Sequence, residues 1–161
     1  MENRIDLQDE GMVARYGPAV YRLAFAQLRS KADADDVFQE VFLRYVEKAP
    51  EFQGPEHAKA WFLRVTVNCC RDVWRSPWHK RHVPLEEDLP FETREEWDLH
   101  QELLKLPAKY RTVLHLFYWE DLSCNEISQI TGAKPTAVRQ QLSRARSKMK
   151  EILEKEGVHN V

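Results

Sequence analysis

Two runs of cations at helical spacing carry whatever chemistry this chain performs. Between Lys134 and Lys150 stand six basic residues and no acid: Lys134, Arg139, Arg144, Arg146, Lys148 and Lys150. At about 100° per residue, Val138, Leu142, Ala145, Met149, Ile152 and Leu153 fall on one apolar stripe, the core-facing side of a helix. Thr136, Arg139, Gln140, Ser143 and Arg144 then lie away from the core, near the helix start. Arg can pair bidentately with guanine and Gln with adenine, so this end can read base edges. Arg146, Lys148 and Lys150 lie further along and suit phosphate contacts, which position without specifying. A merely solvated, charged helix face is the competing reading. The acid-free run, a preceding short helix capped by Ser123 and a turn at Gly132 together favour a helix-turn-helix whose second helix enters a DNA major groove.

The second run lies in the first half. Arg64, Asn68, Arg71 and Arg75 recur at spacings of four, three and four, so they share one helix face, with Trp61 at its start on the same side. Phe62, Thr66, Cys69 and Val73 form the opposing, core-like stripe. Cations flanked by aromatics suit single-stranded nucleic acid, because bases stack while phosphates pair with the cations. Trp74 and Trp78 extend such a platform. Tryptophans in the core beside a solvated Arg face fit the same residues equally well. A third pattern places Asp36, Gln39 and Glu40 on one face around Leu43, opposite Val37, Val41 and Tyr45. An apolar residue inside an acidic, polar face is consistent with a protein interface.

Catalytic constellations are absent from the sequence: no Gly-rich phosphate loop, no nucleophile elbow and no HExxH. Cys69, Cys70 and Cys124 form no CxxC pair, and their odd number argues against a disulfide framework, so buried reduced thiols are expected. His79 and His82 make a lone His-x-x-His among cations that would repel a metal. No metal, cofactor or catalytic residue is expected.

These faces need helices to present them. The first helix is expected from Leu7 to Leu28, with Gly17-Pro18 forcing a kink or a break. Asp33, Asp35 and Asp36 suit the first turn of a second helix that ends near Glu47. A loop from Ala49 to Pro55 leads to a third, Glu56 to Arg75, ended by Ser76-Pro77. Val83 to Phe91 is an acidic, proline-bearing connector with no helical periodicity. Thr93-Arg94-Glu95-Glu96 fits a capping box that opens the second block. Pro107 starts a helix to about Glu120, Ser123-Cys124-Asn125-Glu126 caps the next, and Pro135 starts the last, which fades near Gly157.

The 161 residues thus read as all-α, in two small domains: 1–78, a linker 79–92, and 93–161. The net charge of −2 conceals strong local asymmetry. Residues 61–82 are net +4, 83–102 net −7, and 134–150 net +6. With no membrane-length apolar run and no signal-peptide core, a cytoplasmic protein without membrane insertion is expected.

At this point a resemblance is visible. Asp33-Ala34-Asp35-Asp36-Val37-Phe38-Gln39-Glu40-Val41-Phe42-Leu43 resembles region 2 of bacterial RNA polymerase sigma factors. Ala60-Trp61-Phe62-Leu63-Arg64-Val65-Thr66-Val67-Asn68, through Asp72, resembles the strand-opening segment that follows it. Leu106-Pro107-Ala108-Lys109-Tyr110-Arg111, Leu122 through Ile127, and Val138 to Arg146 resemble region 4. Two such regions joined by a short tether resemble the extracytoplasmic-function (ECF) subfamily. The resemblance implies that Asp36, Gln39, Glu40 and Leu43 bind the clamp coiled coil of the polymerase largest subunit. It implies that Arg64, Asn68, Arg71 and Arg75 hold the melted minus-ten strand, and that the loop Glu51–His57 helps pocket a flipped base, with Phe52 and Asn68 as its candidates. The last helix would read the minus-thirty-five duplex, and an anti-sigma partner is common in the family. Two positions depart from the pattern: Thr136-Ala137-Val138 replaces Gly-Thr-Val, and Gln141 stands where a basic residue is common, so promoter preference does not carry over. A helix-turn-helix regulator working without polymerase is the alternative; it leaves the first block unexplained and should dimerise on a palindrome. A helical nucleic-acid enzyme or metalloprotein using Cys69, Cys70 and the histidines is the rival from another class.

Overall fold

The computed structural model describes residues 7–28, 30–75 and 94–156, and among them every regular element is a helix. These are α1 (Leu7–Gln27), α2 (Lys31–Lys48), α3 (Pro55–Arg75), α4 (Arg94–Leu103), α5 (Ala108–Tyr118), α6 (Cys124–Thr131) and α7 (Pro135–Glu156). The acidic connector, Trp78 and the His79/His82 pair lie outside the described residues.

Helices α1 to α3 surround one core whose members recur every three or four residues. Tyr16, Val20 and Ala24 come from α1, with Leu28 just after its end, Ala34, Val37, Val41 and Tyr45 from α2, and Ala58, Phe62 and Cys69 from α3. Of the kink or break expected at Gly17-Pro18, the break does not occur: α1 runs through Pro18. Proline removes one backbone donor, a loss that packing on both flanking turns can outweigh. Gly17 lets α1 and α2 approach closely: a Cβ there would sit a tight 3.3 Å from the Phe38 ring of α2, which would have to give by a few tenths of an ångström. Ser30 caps α2 by accepting the Asp33 N–H at 3.1 Å.

A second core belongs to both halves of the chain. Ala19 and Leu23 of α1 and Leu63 and Val67 of α3 pack with Leu106, Val113, Leu116, Ile127, Ile130, Val138, Leu142 and Ala145. Helix α3 is therefore buried along two stripes. Phe62, Thr66 and Cys69 face the first core, and Leu63 and Val67 face the second. Only the first stripe was expected. In place of two modules held by a tether alone, the described halves are docked on each other.

Candidate nucleic-acid and polymerase interface

The helix-turn-helix forms as its caps dictate. Ser123 and Glu126 exchange hydrogen bonds in a full capping box, 2.8 Å from the Ser123 N–H to Glu126 Oε1 and 3.1 Å from the Glu126 N–H to Ser123 Oγ. Gly132 ends α6 at φ +87°, in the left-handed region where a Cβ is strained, and its N–H returns to Ser128 O. Val138, Leu142 and Ala145 anchor α7 inside the second core. Thr136, Arg139, Gln140, Ser143 and Arg144 are consequently all exposed on the opposite side, near the start of the helix. Arg146 is exposed but held: its Nε donates to the Tyr118 hydroxyl at 2.6 Å, and its guanidinium lies 5.5 Å from the Phe117 and Tyr118 ring centres. Burial of the core stripe is what aims the reader face outward.

On α3, Arg64, Asn68, Arg71 and Arg75 are exposed along one ridge, as their spacing requires. Arg71 and Arg75 border a crevice of about 300 Å³ whose other wall includes Lys109, Thr112 and Gln141. Trp61 is half-buried, edge-on to Tyr45 and Phe62 at 6.2 and 5.1 Å. It joins the ridge to an aromatic cluster; it is not a free-standing platform. Phe52, also half-buried, stacks on Tyr45 at 6.4 Å and meets His57 edge-on at 5.5 Å. The Gln53 N–H donates to His57 Nδ1 at 3.0 Å, which ties the loop carrying Phe52 to the start of α3. Trp74 does not extend a stacking surface. Its Nε1 donates to Gln27 O at 3.1 Å, and the Arg111 guanidinium packs 4.5 Å from its ring centre.

On α2, Asp36, Gln39 and Leu43 are exposed and Glu40 is half-buried, whereas Val37, Val41 and Tyr45 are buried beneath them. Leu43 is 52% exposed and Val46, one turn on, 55%, so the face has an apolar centre larger than Leu43 alone. Arg44 pairs with Glu40 at 2.8 Å and lies 3.8 Å from Asp72.

Cys69 and Cys70 are buried, and Cys124 is half-buried. Burial pushes the Cys69 thiol up to about 11, and the Cys70 thiol is raised for the same reason. Both are therefore held as thiols, unsuited to nucleophilic or metal-ligand duty at neutral pH. Among the described residues no three His, Cys, Asp or Glu gather as a metal site. No described helix is long and apolar enough to cross a membrane.

One constellation has no counterpart in the sequence patterns. The Glu120 side chain is fully buried between the halves. Arg22 of α1 grips it through two bonds of 3.1 Å, Lys59 of α3 lies 3.6 Å away, and His115 Nε2 is at 3.1 Å. Burial alone would raise its pKa. Hydrogen bonds and charge from His115 and Arg22 outweigh that effect and hold it at about 2, below the ordinary 4.5. A carboxylate depressed in the folded state stabilises above its unfolded pKa, and that stability is lost as pH falls through about 2. The shift corresponds to about 3 kcal/mol. Urea titrations between about pH 6 and about pH 2 should therefore show the parent losing more stability than Glu120→Gln, with the two converging at the acid end. Parallel pH profiles would show that Glu120 is not held below its ordinary range.

Comparison with known proteins agrees with the two-part layout. Residues 12–80 match Sigma-70 region 2 and residues 96–149 match Sigma-70, region 4. The chain is 33% identical to RNA polymerase sigma factor SigV of Bacillus subtilis over 142 residues, covering 84% of this chain and 85% of that one. It is 30% identical to ECF RNA polymerase sigma factor SigE of Mycolicibacterium smegmatis, covering 89% of this chain and 61% of the relative. Among solved structures, CnrH in complex with the cytosolic domain of CnrY superposes with a TM-score of 0.71 at 25% identity, over 91% of this chain and 88% of CnrH. The sigma factor RpoE of Bartonella quintana, solved with the anti-sigma factor NepR, gives 0.74 at 20% identity over 94% and 98%, a likeness of fold. With both regions present in order and a relative matched over most of its length, the chain belongs to the extracytoplasmic-function subfamily of bacterial RNA polymerase sigma factors.

Proposed function

We propose that three separate faces divide the work of initiation: α2 for the polymerase, α3 with its preceding loop for melted DNA, and α7 for duplex. As a sigma factor, the chain binds core RNA polymerase and directs promoter recognition and opening. In this reading residues 1–78 form the polymerase-binding and minus-ten unit, 79–92 the linker and 93–161 the minus-thirty-five unit. Asp36, Gln39, Glu40 and Leu43 meet the clamp coiled coil. Arg64, Asn68, Arg71 and Arg75 pair with phosphates and base edges of the non-template strand, while Phe52 and Trp61 offer ring faces to an unstacked base. Unstacking costs a few kcal/mol per step, which capture on this surface offsets. Thr136, Arg139, Gln140, Ser143, Arg144 and Arg146 engage the upstream duplex. The protein contributes binding and no bond chemistry of its own, and it works in the cytoplasm beside the polymerase.

The observation that carries this reading is the simultaneous outward aim of the α7 reader face and the α2 face, each backed by buried residues of its own helix. A stand-alone regulator would have no use for the α2 face. Run-off transcription with core enzyme on a promoter library tests the whole assignment, and no sigma-dependent transcript from any member would sink it. Arg139→Ala should weaken upstream-element binding by about 1–3 kcal/mol and leave core binding unchanged. Undiminished footprint protection of that element would remove Arg139 from the reader set. We also propose an anti-sigma partner, on the ground that both solved relatives are such complexes or carry a bound cytosolic domain.

A further inference from the structure

The crevice beside Arg71 and Arg75 is built from both halves of the chain, and its lining is one-sided in charge. At about 300 Å³ it stands at the small end of ligand sites. Arg71 and Arg75 of α3 and Lys109 of α5 border it, all three exposed, and among the described residues no acid does. Cations gathered at a concave surface without acids give a positive potential that favours an anion.

The start of α5 adds to that potential. Ala108 and Lys109, its first two residues, both line the crevice. A helix start leaves its first N–H groups without intrahelical acceptors, and the positive end of the dipole lies there. Pro107, at the cap position, offers them no side-chain hydrogen bond. Helix starts of this kind hold phosphates and carboxylates.

An independent observation comes from α1. Gln27 lines the same crevice and is 2% exposed. Its carbonyl accepts from Trp74 Nε1 at 3.1 Å and from Arg111 Nη2 at 3.4 Å, which fixes its place. Its side-chain Oε1 lies 3.3 Å from the Thr112 hydroxyl. Its Nε2 has no hydrogen-bond partner among the described residues. A buried amide donor left unpaired is costly, and an acceptor atom on a ligand would satisfy it.

We propose that this crevice is a binding site for a phosphate monoester of nucleotide size. The phosphate sits on Arg71, Arg75, Lys109 and the α5 start, and an acceptor on the remainder of the ligand meets Gln27 Nε2. Two sources present that group: a free phosphorylated small molecule and the 5′ end of a nucleic-acid strand. The site goes beyond the three initiation faces and does not rest on α3 gripping melted DNA, since its donors come from α1 and α5 as well. An occupant touching both halves also stabilises the folded chain.

Isothermal titration of the full chain, in phosphate-free buffer at low salt, compares adenosine 5′-monophosphate, adenosine, and a short single strand with and without a 5′-phosphate. The monophosphate should saturate one site and raise the Tm; adenosine should do neither. Lys109→Glu, at an exposed side chain, should weaken binding roughly tenfold or more. Lys48→Glu makes the same change of net charge outside the crevice and should leave affinity within about twofold. Gln27→Glu keeps an acceptor for Thr112 but replaces the unpaired donor with a carboxylate, so binding should be lost. Circular dichroism checks helicity, and if Gln27→Glu unfolds, Lys109→Glu decides. A Lys109-dependent preference for the 5′-phosphorylated strand, with no binding of the monophosphate, would support the site and assign it to nucleic-acid ends. Equal binding of monophosphate and adenosine would overturn the proposal. So would an equal loss in Lys48→Glu, or no binding of the monophosphate together with indifference to the 5′-phosphate.

Discussion

Asp36→Arg combined with Glu40→Arg should abolish co-purification with core polymerase while leaving the fold intact. Both residues lie on the outward face of α2, over the buried row Val37, Val41 and Tyr45, so neither supports the core. The folded state loses one exposed i,i+4 pair, Glu40 with Arg44 at 2.8 Å, worth about 0.3–0.5 kcal/mol. The complex loses far more. Two carboxylates become two cations beside Arg44, and on the proposed assignment a partner surface that accepts acids would meet like charge. Charge pairs at an interface core cost about 2–5 kcal/mol each when broken, so the loss of two such pairs should lower affinity by about a thousandfold or more. Pull-down with core enzyme reads the binding, and thermal unfolding reads the fold. Parent-like co-purification would remove α2 from the polymerase interface. Leu43 and Val46 give the face its apolar centre, so Leu43→Asp should act in the same direction.

Phe62→Ala should cost about 3–5 kcal/mol, a large part of the stability of a small helical domain. Phe62 is 1% exposed and lies within an aromatic cluster. Tyr16 stacks on it at 5.1 Å, with Phe42 at 5.1 Å, Tyr45 at 5.3 Å, Phe52 at 5.9 Å and Trp61 at 5.1 Å. Truncation leaves a cavity that these stiff rings cannot collapse into. It also unseats Phe52 and Trp61, the two aromatics proposed to meet unstacked bases, so single-strand binding should weaken even where the domain stays folded. Urea unfolding measures the first effect and anisotropy the second. A loss below about 1 kcal/mol would mean the cluster repacks and that Phe62 is not its support.

The local level of this structure was legible because helix signals are short-range. Ser123 to Glu126 is a capping box on the page and in space, and Gly132 ends α6 for the backbone reason its side chain implies. The stripe from Val138 to Ala145 turned inward and aimed Arg139 and Ser143 outward, since a period near 3.6 leaves little choice once one face is buried. The same logic placed Asp36 and Leu43 on the surface of α2. Aromatic residues were less legible. Trp61 and Trp74 have both a ring that packs and an N–H that needs an acceptor, and spacing alone could not say that Trp74 would find Gln27 O and Arg111. The unbroken passage of α1 through Pro18 was likewise a matter of packing against α2 and α3, which overrode a local breaker.

What the chain determined by itself was the inventory of helices, their caps, and which face of each is apolar, because all of these depend on residues within a turn or two. Its two-region order sufficed to point to a sigma factor. What only tertiary structure decided was the second apolar stripe of α3, Leu63 and Val67, and what it meets. Nothing in a single amphipathic helix says that two adjacent stripes serve two different cores. The same holds for Glu120, an unremarked acid in the turn after α5 whose partners Arg22 and Lys59 stand 98 and 61 residues away. Charges so far apart in sequence are brought together only by the packing of α5 and α6 against α1 and α3, and burial then turns an ordinary surface acid into the polar centre of the joint.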